Sequence, residues 1–230
     1  MPEEFLREIP GPIGPLEALL DRPDGTPRAA AVFGHPHPLY GGTMHTKGVY
    51  QAAKALARIG VAVLRFNFRG VGRSAGQHNG GPGEMDDFRA ALDYMPTHFP
   101  EVPLWAAGFS FGAWIAATVG ASDPRVELIL LIAPHVDRYD FAVLEESDKP
   151  KFIIHGEFDE VVPLREVKKF YGELPEPEDL VVVDAADHLF TGKTIELGEI
   201  VEDLLRGYGE HPAQADTTQS PEEKDSKVQS

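Results

Sequence analysis

Between residues 29 and 205 short apolar runs of strand character alternate with longer stretches whose apolar residues recur at helical spacing. That alternation restricts the chain to a sheet with crossover helices. "AAAVFG" reads as a buried strand, and Val49, Ala52, Ala53, Leu56 and Ala57 then fall on one face of a helix. "VAVLRFNF" is the next strand, over 61–68, and Met85, Phe88, Leu92 and Met95 mark the helix after it. "VPLWAAGF" leads into small and aromatic residues over 111–121 that suit a buried helix. "VELILLIA" is apolar throughout, as a strand covered on both faces must be. "KFIIHG" precedes a helix with Val167, Phe170, Tyr171 and Leu174 on one face. "DLVVVDA" is the last strand, and Leu197, Ile200, Val201, Leu204 and Leu205 stripe the last helix. Upstream, "FLREI" and "LEALLDRP" flank "PGPIGP" and read as an antiparallel pair.

A chain of 230 residues suffices for one large α/β domain with a substantial core. The periodic pattern stops at Tyr208, so residues 1–208 are assigned to that domain. Residues 209–230 carry one aliphatic side chain larger than alanine, Val228, and read as a disordered tail. The absence of cysteine excludes disulfides, thiolate metal sites and cysteine nucleophiles. A net charge of −16 argues against nucleic acid or an anionic membrane as partner, since phosphate binding needs basic patches. The start "MPEEFLREIP" lacks the features of a signal peptide, and no apolar run reaches the ~18 residues of a membrane span. A cytoplasmic protein without a membrane partner is expected, with a homodimer an open alternative for its assembly.

The segment "GFSFGAW" sets Ser110 between two glycines, at the carboxyl end of one strand and directly before a helix. A sharp strand-to-helix turn there would lift the hydroxyl to the top of the sheet. A serine hydroxyl needs a base to take its proton, and the base needs a third group to orient it. In a doubly wound sheet these partners belong at the carboxyl ends of later strands. Asp159 follows "KFIIHG", and His188 follows "DLVVVDA". Glu157 and Glu160 compete for the role of acid, and Asp184 and Asp187 flank the histidine. The loop "HPHPLYGGTMHTK" has no carboxylate near its histidines in sequence, so no metal is expected. Gly70 and Gly72 in "RGVGRS" lack the dinucleotide fingerprint and read as tight-turn residues.

With these segments in place the chain resembles an α/β-hydrolase, and within that superfamily the small lidless serine hydrolases related to dienelactone hydrolase. "GFSFGAW" matches the nucleophile elbow, "HGEFDEVVP" the acid loop and "ADHLF" the histidine loop; "HPHPLYGGTMHTK" is similar to the oxyanion segment of one branch and "FNFRGVGRSAG" to a loop found in many members. The resemblance covers about residues 5–206. It implies an α/β-hydrolase fold: a mostly parallel central sheet, helices on both faces and no cap domain. It implies Ser110 as nucleophile, Asp159 as acid and His188 as base, with no cofactor. The backbone N–H of Phe111 would be one oxyanion donor. In the loop after the first parallel strand, Pro36 and Pro38 have no N–H to give. His37 aligns best with the second donor, and Leu39 is the alternative.

The reaction this implies is cleavage of small-molecule carboxylic esters through an acyl-enzyme. The connection over 134–150 is too short for a cap, so an open site and short-chain esters are expected. The alternatives are an amidase or peptidase with the same triad, and a catalytically dead hydrolase fold acting as a binding module.

Overall fold

A computed structural model describes residues 3–4, 8–175 and 178–208. Eight strands form one sheet in the order β1-β2-β4-β3-β5-β6-β7-β8. They are β1 (Glu3–Glu4), β2 (Ala18–Asp21), β3 (Ala29–Gly34), β4 (Val61–Phe66), β5 (Leu104–Phe109), β6 (Val126–Ile132), β7 (Lys151–Gly156) and β8 (Glu178–Val183). From β4 to β8 every neighbouring pair is parallel, while β2 runs antiparallel to β1 and β4.

The helices are α1 (Lys47–Arg58), α2 (Pro82–His98), α3 (Phe111–Ser122), α4 (Leu164–Tyr171) and α5 (Thr194–Leu205). They divide the core into two layers, one on each face of the sheet. Phe88, Leu92, Ile115, Val119, Val167 and Phe170 from α2, α3 and α4 pack on one face. On the other face, α1 presents the stripe Val49, Ala52, Ala53 and Leu56, and α5 presents Leu197, Val201 and Leu205. Alternation of inward side chains along each strand feeds both layers: Ala30 and Val32 of β3 join the first, Ala31 and Phe33 the second.

Several boundaries differ from the periodicity, and at the end of β4 the cause is that backbone donors are drawn elsewhere. The strand expected over 61–68 stops at Phe66. Beyond it the Asn67 N–H goes to Glu17 O at 2.8 Å, the Phe68 N–H to His35 Nε2 at 3.1 Å and the Arg69 N–H to Asp87 Oδ2 at 2.9 Å. β6 stops at Ile132, because Ala133 turns at φ 45°. Leu174 is buried in the first core layer but lies past the end of α4, in the turn after Gly172. Of the expected antiparallel pair, residues 5–7 lie outside the described residues and Ile9 forms an antiparallel bridge with Leu16; β1, just before it, sets Glu3 opposite Asp21 and Glu4 opposite Leu20. Gly70 and Gly72, at φ 76° and 56°, do form tight turns.

Between β6 and β7 the chain makes one 3₁₀ turn, Ala142–Leu144. Phe141 and Leu144 anchor it in the core, and no cap rises from it. Among the described residues no helix is long and apolar enough to cross a membrane. Residues 209–230, read from sequence as a tail, lie outside the described residues.

Candidate active site

Ser110 occupies the turn between β5 and α3 with φ 54° and ψ −111°, a left-handed backbone that L-residues rarely adopt. The turn is held from both sides. The Ser110 N–H donates to Ile132 O at 2.8 Å, and its carbonyl accepts from the Ala113 N–H at 3.0 Å to start the helix. The flanking glycines are required by close approach. A Cβ on Gly108 would lie 2.1 Å from Gly112 O, and one on Gly112 would lie 2.3 Å from Gly34 O. The sequence therefore folds into an elbow that sets the hydroxyl above the sheet.

Asp159 follows β7, and its carboxylate is oriented by its own loop. Oδ1 accepts the N–H groups of Val161 at 2.9 Å and Val162 at 2.8 Å. Oδ2 is thereby turned to His188, whose Nδ1–H donates to it at 2.7 Å. With Nδ1 carrying the proton, Nε2 accepts, and the Ser110 hydroxyl lies 2.9 Å from it. Burial pushes the Asp159 carboxyl up, but the hydrogen bond and charge of His188 outweigh it and hold the group below the usual carboxylate range. His155, buried on β7, lies 3.5 Å from the same Oδ2 while its Nε2 contacts Val162 O at 2.9 Å. The histidine loop is fastened to the acid loop by the Phe158 N–H, which donates to Ala186 O at 2.9 Å. A Cβ on Gly156 would lie 2.4 Å from that same oxygen, so the two loops meet backbone to backbone.

The competing carboxylates point elsewhere. Glu157 accepts the Ala185 N–H at 2.9 Å, and Asp187 accepts the N–H groups of Leu189 at 3.1 Å and Thr191 at 2.8 Å. Asp184 is exposed, and Glu160 lies at the cavity wall, while the hydrogen-bond partners of the imidazole among the described residues are Asp159 and Ser110.

The loop after β3 separates the two oxyanion candidates. The Leu39 N–H donates to the imidazole Nδ1 of His37 at 3.2 Å. The N–H groups of His37 and Phe111 have no partner in the hydrogen bonds among the described residues. Burial, reinforced by the charges of His78 and Arg138, pushes the His37 imidazole down to about 4, so it can accept from Leu39. His35 is wholly buried and locks the base of the loop. Its Nδ1–H donates to Pro36 O at 2.6 Å and its Nε2 accepts the Phe68 N–H at 3.1 Å. Burial pushes this imidazole down to about 4 as well.

Ser110 and His188 open into a cavity of about 580 Å³. Its walls include residues that periodicity gave no reason to single out: Tyr40, His135, Arg138 and Tyr139. Tyr139 stacks on Trp114 with ring centroids 4.5 Å apart and meets Phe111 at 5.7 Å. The one sequence signal for this wall was a cluster of histidine, arginine and tyrosine in the short 134–150 connection.

The family model described as "Serine aminopeptidase, S33" matches residues 26–143, just over half of the chain. An uncharacterized protein of Rickettsia prowazekii (strain Madrid E) is 38% identical over 204 residues, covering 85% of this chain and 86% of that protein. The structure of an alpha-beta serine hydrolase homologue from Coxiella burnetii superposes with a TM-score of 0.83 at 40% identity, covering 89% of this chain and 97% of that one. A serine hydrolase without lid from Xanthomonas campestris superposes with a TM-score of 0.83 at 34% identity, covering 94% and 99%. With the sheet order, the elbow and the uncapped site, these likenesses show that the chain belongs to the α/β-hydrolase superfamily, as a serine-hydrolase-type member without a lid.

Proposed function

We propose that the protein hydrolyses carboxylic esters with short acyl chains through an acyl-enzyme on Ser110. The observation that carries this reading is the continuous contact from Asp159 Oδ2 through His188 to Ser110 Oγ, at 2.7 and 2.9 Å. His188 takes the hydroxyl proton as Ser110 attacks the carbonyl carbon, and Asp159 holds the tautomer and stabilises the imidazolium. The oxyanion forms beside the N–H groups of Phe111 and His37. Each donor preorganised there is worth a few kcal/mol, roughly 3, in the transition state. His188 returns the proton to the leaving alcohol, and water repeats the sequence on the acyl-enzyme. No cofactor enters any step.

The short 134–150 connection supports the choice of substrate, because an uncapped cavity offers no enclosed tunnel for a long acyl chain. A second reading, amide or peptide hydrolysis, is favoured by the description of the matching family model. A series of p-nitrophenyl esters from acetate to decanoate, run beside the matching p-nitroanilides, tests both. The expected result is turnover greatest at acetate and butyrate, with the anilides slower by orders of magnitude. Anilide turnover equal to the ester would favour the second reading. No turnover, with no adduct to a fluorophosphonate, would make the fold a binding module.

A further inference from the structure

In the sheet order β3-β5-β6-β7-β8, the loop carrying His37 lies on one side of Ser110, while Asp159 and His188, at the ends of β7 and β8, lie on the other. That order gives the two ends of a bound ester different surroundings. When the tetrahedral intermediate collapses, the C–O bond breaks with its electron pair on the leaving oxygen. The oxyanion re-forms the carbonyl, and the proton on His188 Nε2 passes to the leaving oxygen, so that a neutral alcohol departs. That oxygen must lie within hydrogen-bond reach of His188, so the alcohol lies over the loops after β7 and β8.

Those loops present exposed apolar side chains. Val161 and Leu189 are each 50% exposed, and Phe158, whose N–H joins the two loops at Ala186, is 60% exposed. Val161 and Leu189 line the same cavity as Ser110 and His188. Apolar groups left open at the wall of a cavity mark a surface awaiting an apolar ligand. Two carboxylates, Glu160 and Asp187, line the same side, whereas the basic wall residue, Arg138, comes from the loop after β6. An anionic alcohol would be repelled there. We infer that the face formed by Val161 and Leu189 is the leaving-group subsite, and that the protein's ester carries an apolar, non-anionic alcohol on its short acyl group. This inference rests on the ester reading of Ser110 and His188.

Acetate esters of ethanol, butanol and hexanol test it, followed by proton release. All three give the same acetyl-enzyme and leave as alcohols of similar acidity. Because kcat/KM spans the steps up to alcohol departure, differences in it report binding of the alcohol. The expected rise is about twofold per methylene, the share for a chain contacted on one side. In Val161→Ser and Leu189→Ser this slope flattens, while the dependence on acyl length keeps the slope of the parent. Both positions are half exposed, and a thermal melt verifies that each variant is folded. The acetate ester of 6-hydroxyhexanoate should react severalfold more slowly than hexyl acetate. A kcat/KM independent of alcohol length, or a slope preserved in both serine variants, would overturn the subsite. Absence of turnover on every acetate would overturn the ester reading, and the subsite with it.

Discussion

Asp159 Oδ2 lies 2.7 Å from His188 Nδ1, on a carboxylate whose other oxygen is held by two backbone N–H groups. Only one of the carboxylates near the histidine has this geometry. Asp159→Asn is therefore expected to lower kcat by on the order of 10³–10⁴, since an amide N–H donating to Nδ1 would favour the wrong tautomer of the base, with the proton on Nε2. Asp184→Asn should change kcat by less than severalfold, and Asp187→Asn should act only through its loop. Steady-state rates on one ester measure all three. Equal losses at Asp159 and Asp187 would reassign the acid.

The loop after β3 gives a test of the oxyanion donor that leaves the backbone in place. His37 has φ −52°, which proline can adopt. His37→Pro removes the N–H and should lower kcat about 10²–10³-fold, whereas His37→Ala keeps the N–H and should retain most of the activity. A His37→Pro enzyme as active as His37→Ala would transfer the role to Leu39.

Gly112 sits in α3, where alanine would ordinarily gain about 1 kcal/mol of helix propensity. Here the clash wins, because the new Cβ would lie 2.3 Å from the carbonyl oxygen of Gly34 on the neighbouring strand. Gly112→Ala is expected to destabilise the protein by more than about 2 kcal/mol and to shift the elbow. The urea midpoint reads the first and kcat the second. A variant as stable as the parent would show that the helix can move away from β3 freely.

His35 should make the fold acid-sensitive. Its imidazole is held down to about 4 in the fold, against 6.5 ordinarily. Between those values the unfolded chain binds a proton that the folded chain does not. The stabilisation is therefore complete above the unfolded value and shrinks as pH falls toward about 4. This one group should cost about 2 kcal/mol between pH 7 and pH 5, and buried His155, also pushed down, acts in the same direction. In His35→Gln the protein should be less stable at pH 7 but lose less on acidification. Urea midpoints at the two pH values decide it, and an unchanged pH slope would contradict the assignment.

What was legible in the sequence followed from short-range rules. Val49, Ala52, Ala53 and Leu56 reveal α1 because a helix repeats every 3.6 residues, and "VELILLI" reveals β6 because a central parallel strand is covered on both faces. Ser110, Asp159 and His188 could be singled out because Ser110 directly follows a strand and the other two lie in the loops just after later strands, and these strand ends meet at one edge of the sheet. The end of β4 at Phe66 was not legible, because it depends on His35 and Asp87 capturing backbone donors from 33 and 18 residues away. The cavity wall of Tyr40, Arg138 and Tyr139 was hidden for a related reason. Side chains in irregular loops have no period, and their convergence exists only in three dimensions.

The most direct test of the account is fluorophosphonate labelling of the parent and of Ser110→Ala, read by intact mass and peptide mapping beside ester turnover. The account predicts one adduct per chain, on Ser110. It predicts that Ser110→Ala keeps the circular dichroism of the parent, takes no label and loses activity by several orders of magnitude, roughly the loss of a triad member. An adduct mapped to another residue, or a Ser110→Ala protein within about tenfold of parental activity, would contradict it.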